Sequence, residues 1–475
     1  MVLSLAHAPV GDNAANNPLH TQVLEELGTM LQDEIISLGD DPSLDLDGIE
    51  RTIQQLLRRV GGSLVETVVQ LRCQQLEASP PPCPACQRPM ELQHRSRRIE
   101  GTVGSYQLLR AAYRCRPCAT SAVPVDAALG IGPGALSPGL SRIAALVAAM
   151  DPFAASSEAI NEILGTRLTK SAVRRTAEAL GMVAEQELAK DSSEPPPPSP
   201  IGPLVSNTLM ISGDATTTFT DGDWHEVKVG MVAPLGPKTK TDPDTDGDSL
   251  CIGPASYCAC VGSADTFFDR LKPLVHQAGF GHDGLDTVVK IADGGPWIWN
   301  RMSEFNRPGV QSVEILDYIH ACSHVWKMAE AVYGRDTLAI HAWAEPLTLA
   351  LKEKGPAKLL AALDDLQPRS DEARDALRKA REYFKAHAAA GRMDYPRFRA
   401  NGWPIGSGSI ESACKQVVCM RTKSSGMRWR KLGAQSILNL RCLRLSPGHW
   451  EAFFRRQPQR RRTQATRAQT AAHAA

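Results

Sequence analysis

The chain has 475 residues, 43% of them hydrophobic, with Lys+Arg 53 against Asp+Glu 52 and a formal net charge of +1. That length accommodates two to four domains and a sizeable core, while a near-neutral balance by itself points to no partner. The N-terminal MVLSLAHAPVGDN has no basic n-region, and the longest apolar segment, residues 143–150, is too short to cross a bilayer. The expectation is a cytoplasmic, nucleoid-associated protein without a membrane partner, whose 12 cysteines serve as metal ligands or core residues rather than as disulfides.

Residues 1–80 read as a helical region, with apolar residues at helical spacing over 21–38 and 46–76. Dimerisation and packing against the next module suit this pair equally. Residues 81–122 form a zinc-ribbon-like module: CPAC supplies Cys83 and Cys86, CRPC supplies Cys115 and Cys118, and a strand-like alternation through Tyr106, Leu108, Arg110 and Ala112 lies between. Two thiolate hooks of equal spacing, each at a proline-assisted turn, fit one tetrahedral Zn2+ in a structural role. Residues 123–190 are helical. Within them 156–164, the turn Gly165-Thr166 and 169–180 have helix-turn-helix lengths, and Lys170, Arg174 and Arg175 suit contacts to phosphates or a major groove. An ordinary helical hairpin with a basic face shows the same pattern; the acidic residues described next tip the reading toward DNA.

The polyproline segment 191–203 is a linker that no helix or strand interior would accept. Strand patterns follow at 204–213, 225–232 and 257–261, then a helix over 264–277 and a strand over 287–292. The aspartates between 242 and 248 lack EF-hand spacing and read as a solvated loop. Two of these strands run into an acid followed by small residues, Asp214 in LMISGDATTTF and Asp293 in VVKIADGGPWIWN, so each carboxylate is expected at a strand's C-terminal end. Glu411 in PIGSGSIESACK opens a helix, with Gly406, Gly408 and Ser409 giving bend and cap and Ala413, Val417, Val418 and Met420 the apolar spacing. For any one acid, capping or a turn is the simpler account; the conjunction of three matches the ligand set of ribonuclease-H-like nucleotidyl transferases. Such a set holds two Mg2+ or Mn2+ ions and moves phosphodiester bonds.

The expected fold is therefore α/β. A ribonuclease-H-like catalytic core is built from 204–320 and 401–456, with a helical insertion over 321–400 and a basic disordered tail over 457–475. Thirteen basic residues from Arg421 to Arg467 face only Glu451. Among them Arg421, Lys423, Arg428 and Arg430, together with Lys415, form the candidate strip for a DNA backbone. Trp429 reads chiefly as a packing residue, as does one of Trp297 and Trp299, with base stacking the alternative.

On GDAT around Asp214, ADGGPWIW around Asp293, the D-x-x-H at Asp317 to His320, and GSGSIESACK followed by RTKSSGMRW, the chain resembles bacterial insertion-sequence transposases of the Mutator-like DDE group, in particular those of the ISKra type. The resemblance covers most of the chain. It implies an Asp214, Asp293, Glu411 triad, a helical insertion before the glutamate, and an N-terminal region that binds DNA. It also implies double-stranded DNA partners (element terminal repeats and target), action as a homo-oligomer, and a role for His320 at the scissile phosphate or in orienting a ligand. Packing beside a neighbouring acid is the other account of His320, and both stay open for Asp317. Cys322 and His324 read as packing residues on an apolar helix face. A DNA-binding regulator without catalysis and a nuclease that stops after hydrolysis are the alternatives.

Overall fold

The structure is a computed structural model that describes residues 18–76, 80–132, 134–190, 206–236, 250–368 and 370–457. The linker 191–203, the acidic loop 242–248 and the tail from 458 onward lie outside the described residues. The chain divides into two compact units. One comprises Met1–Ala148, Pro152–Thr176 and Phe454–Ala475, and the other Ala149–Asp151 and Ala177–Phe453.

The first unit begins with helices α1 (Pro18–Asp40) and α2 (Leu46–Leu76), followed by an antiparallel sheet β1 (Glu91–Gly101), β2 (Gly104–Cys115) and β3 (Thr120–Ala122). Helix α2 lies directly on β2, because Gly61 and Gly62 remove the side chains that would keep them apart. A Cβ on Gly61 would come within 2.6 Å of the Val103 carbonyl oxygen, and one on Gly62 within 2.5 Å of that of Ser105. Arg58 secures the contact by pairing with Glu100 at 2.7 Å. Packing on the next module, one of the two expectations for this helical pair, is observed for α2. Helices α3 (Pro124–Ala128), α4 (Pro138–Met150) and α5 (Phe153–Leu164) follow, and α6 (Lys170–Lys190) runs from this unit into the second. The turn before α6 is set by Gly165 at φ 61°, the left-handed C-cap that glycine adopts without strain, and by Asn161, whose side-chain oxygen accepts from Leu168 N at 2.7 Å.

The second unit is built on a six-stranded mixed sheet of β4 (Thr208–Thr220), β5 (Asp223–Gly236), β6 (Cys251–Ile252), β7 (Ser256–Cys260), β8 (Thr287–Ala292) and β9 (Gln311–Leu316). The order is β6-β5-β4-β8-β9, with β7 also paired to β5; β4 is antiparallel to β5 and parallel to β8, which is parallel to β9. The β4–β5 hairpin turns at Asp221-Gly222, both at positive φ, as the twist-matched two-residue turn requires. Alternation along the strands separates two cores. Leu209, Ile211 and Ala292 face helices α7 (Ala264–Val275) and α8 (Pro296–Met302). Met210, Val229, Val289, Ile291, Val313 and Ile315 face the opposite layer. That layer holds α9 (Tyr318–Tyr333), α10 (Thr337–Lys354), α11 (Ala357–Asp365), α12 (Asp371–Ala389), α13 (Tyr395–Ala400), α14 (Gly408–Ala413), α15 (Met420–Thr422) and α16 (Lys431–Leu445). A π-helical segment, Cys414–Cys419, joins α14 to α15.

Candidate functional site

The register of the three parallel strands aligns three acids. Gly213 pairs with Ala292, and Ala292 with Leu316, so Asp214, Asp293 and Asp317 are each the next residue on adjacent strands. Neighbouring strands lie roughly 4.8 Å apart, and period-two alternation turns these positions to the face of Met210, Val289 and Val313. One expectation is corrected here: Asp214 lies in the middle of β4, not at its end. The β-branched run Thr216–Thr218 stays extended because β5 continues to pair with it as far as Thr220↔Asp223. What ends at Gly213 is the parallel pairing, so the carboxylate still stands at the edge of the parallel part of the sheet. Gly213 itself must be small, since a Cβ there would meet Ile298 Cδ1 at 2.5 Å.

Glu411 arrives from the opposite layer on α14, in its first turn and exposed to solvent. The expected cap is also corrected: Ser407 occupies the N-cap position and makes no side-chain cap bond. Instead the Asp317 carboxylate accepts the Ser407 N–H through Oδ2, while its Oδ1 accepts the His320 N–H at 2.6 Å and caps α9. Asp317 is 1% exposed. One buried side chain thus ties the helix of Glu411 to the strand beside Asp293. Ala413, Val417 and Val418 face the core as expected, but Met420 is 67% exposed, because the π segment shifts the helical phase between Cys414 and Cys419.

Asp214 senses the other two acids. Burial raises the Asp214 pKa, and the nearby charges of Asp293 and Glu411 raise it further, against hydrogen bonds from Ala215 N at 2.7 Å and Cys414 Sγ at 3.6 Å. The carboxylate oxygens of Asp214, Asp293 and Glu411 do not all come within 4.8 Å of one another. Asp293 Oδ1 accepts Gly295 N at 3.0 Å, and its backbone oxygen accepts Trp299 Nε1 at 2.5 Å. Trp299 is thus the tryptophan packed beneath the acid, while Trp297 packs edge-on to Phe267.

An aromatic and histidine cluster from α9 and α12 closes over the Asp293 turn. His320 lies 5.1 Å from His324, which stacks on Tyr383 at 4.4 Å, and Tyr383 lies 4.6 Å from His387. Burial holds His324 at about 4, helped by His320, and burial likewise holds His387 at about 4, helped by Arg392, so both rings are neutral at pH 7. The Gly294 backbone is bonded to His387. Cys322 is half-buried and its thiol is pushed up by burial, in keeping with packing. Tyr383 and His387 were not identifiable near the site in the sequence: no local motif marks them, and only the fold of the segment between the acids brings them to Gly294, which the motif ADGGPWIW does contain.

Of the basic residues, Lys170, Arg174 and Arg175 are exposed on the first turns of α6, and Lys415, Lys423, Arg428 and Arg430 are exposed beyond Glu411. Lys423 donates to Thr216 Oγ1 at 2.8 Å, which places its ammonium near Asp214 on the same strand face. Arg421 is a correction. It is 1% exposed, with its guanidinium 4.8 Å over the Trp429 ring, so it packs inside and does not belong to a surface strip. Arg441 is buried too, bonded to the Gln416 and Val417 carbonyls.

In the first unit Cys83, Cys86, Cys115 and Cys118 bring their sulfurs within 4.8 Å of one another, a cluster that can hold a metal ion such as zinc. The Cys86–Cys115 sulfur distance of 3.6 Å is close to the roughly 3.8 Å edge of a tetrahedron with Zn–S bonds of about 2.3 Å. The Ala85 backbone holds the Cys83 thiol down at about 6, and the Cys86 side chain pushes Cys118 up to about 12. Four crowded sulfurs therefore cannot all ionise without a cation between them, which is the condition a divalent metal meets.

No protein-family model and no curated protein sequence matches the chain.

Proposed function

We propose that the chain is a DDE transposase, which cuts DNA at the ends of its element and uses the freed 3′ hydroxyl to attack a target phosphodiester. The observation that carries this reading is the placement of Asp214 and Asp293 at matching positions on neighbouring parallel strands, with Glu411 near enough for its charge to act on Asp214. Further support comes from the mixed sheet flanked by helices, from the helical segment between the second and third acids, and from the motifs of the resemblance. The four-cysteine hairpin supports the zinc-ribbon reading in the same way.

The donor set suits Mg2+ or Mn2+, because hard carboxylate oxygens are what these ions prefer. When bound, the ions would supply activation of the attacking oxygen and neutralisation of the leaving one. Asp214, set between Asp293 and Glu411 in its interactions, would be the shared ligand, with Asp293 and Glu411 completing the two sides. Lys415 and Lys423 would hold the DNA backbone against the edge by phosphate contacts, and Lys170, Arg174 and Arg175 would engage duplex DNA separately. His320, at the start of α9 and half-buried, would orient the scissile phosphate or a ligand acid.

The test is cleavage and strand transfer with DNA carrying the element's ends. Asp214→Ala, Asp293→Ala and Glu411→Ala should each reduce both steps at least about 1,000-fold, a loss of roughly 4 kcal/mol in transition-state stabilisation. Unchanged joining would remove the two-metal mechanism, and cleavage without joining by the native protein would favour a nuclease.

A further inference from the structure

Tyr383 sits on α12, within the segment between the second and third acids, and its ring occupies the volume that a side chain at 294 would need. A Cβ on Gly294 would lie 2.1 Å from Tyr383 Cε2 and 2.2 Å from its Oη, so the phenol rests against the backbone that joins Asp293 to Gly295. The ring is held there on two sides, by His324 stacked at 4.4 Å and by His387 at 4.6 Å, and His387 is itself bonded to the Gly294 backbone. Yet the Oη is shielded from solvent and has no hydrogen-bond partner. Buried hydroxyls almost always have one, because desolvation without a partner is costly.

We propose that Tyr383 is a positioning residue for the metal site: its hydroxyl donates to the Asp293 carboxylate oxygen that is not engaged by Gly295, once that carboxylate turns to receive a divalent cation. The proposal rests on the two-metal reading given above. Gly294 follows from it, since any larger residue would expel the phenol from its seat. The insertion is then not a spacer between acids but the source of a group that orients one of them, in the manner of the outer hydrogen bonds that fix ligands at metal centres.

The test is calorimetric titration of the full-length, zinc-loaded chain with Mn2+ alone, in the absence of DNA, for the wild type, Asp214→Ala, Tyr383→Phe and Gly294→Ala. Tyr383→Phe deletes one oxygen and keeps the ring between its histidines. It should weaken Mn2+ binding about 10-fold while leaving the melting temperature of the Mn2+-free protein equal or higher, a combination that a purely structural tyrosine would not produce. Gly294→Ala should weaken binding at least as much. Wild-type Mn2+ affinity in Tyr383→Phe, with binding lost in Asp214→Ala, would overturn the role of Tyr383 and leave the metal site standing. Absence of Mn2+ binding by the wild type would overturn both.

Discussion

Asp317 shows how one side chain can set the geometry of a site without entering it. Its two oxygens accept backbone N–H groups from separate helices, that of His320 at the start of α9 and that of Ser407 at the start of α14. Asp317→Ala should therefore destabilise the protein by about 2–4 kcal/mol, because two donors lose their acceptor in a buried setting. Asp317→Asn keeps one acceptor oxygen and should cost about half as much. Urea denaturation of the two variants measures the difference, and equal costs would mean that only one of the bonds matters. The sequence shows the aspartate and its spacing to His320, but not its partner 90 positions later. Arg421 illustrates the opposite limit: a run of cations reads as a surface strip, and nothing in the run itself tells which member turns inward to stack on Trp429.

At the scale of elements, legibility followed how local the cause is. Strand β8, residues 287–292, coincides with its expectation because it is buried along its whole length, and a continuous apolar run bounded by turn residues has few other ways to fold. Strand β4 ran seven residues past its expected end because its extension depends on the Asp221-Gly222 turn and the pairing of β5, which lie beyond the acid. The packing of α12 on α9 was not legible at all, since helical periodicity names an apolar stripe but not what it meets. That packing leaves a measurable mark. His324 and His387 have folded-state pKa values of about 4 against an ordinary 6.5. Below pH 6.5 the unfolded chain binds protons that the native one refuses, so the stability they confer is complete above pH 6.5 and falls as the pH drops toward 4. Each histidine contributes a slope of about 1.4 kcal/mol per pH unit in that window. In denaturation series from pH 7 to 4.5, His324→Phe, which keeps the stack on Tyr383, should flatten the decline by about that amount. A decline as steep as the wild type's would show that His324 accepts its proton in the folded state.

For the molecule as a whole, the two compact units obey different stabilising rules. The sheet of the second unit encloses two extensive apolar cores, whereas the cysteine hairpin of the first gathers only a handful of buried side chains around its sulfurs. A module of that size depends on a cross-link or an ion. Cys115→Ser should lower bound zinc from one ion per chain to none by elemental analysis, and should unfold the 81–122 module at a lower temperature. The transition of the second unit should stay unchanged, so loss of both together would show that the units unfold as one.

The order in which the acids occur along the chain has a kinetic consequence. Position 214 lies on the first hairpin of the second unit, 293 follows one crossover later, and 411 is added only after six intervening α-helices have been laid down. Closing such long loops is the slow part of folding. A polypeptide released before position 411 would carry two of the carboxylates and lack the third, so the activity proposed above would be acquired only once the last of these helices had been added.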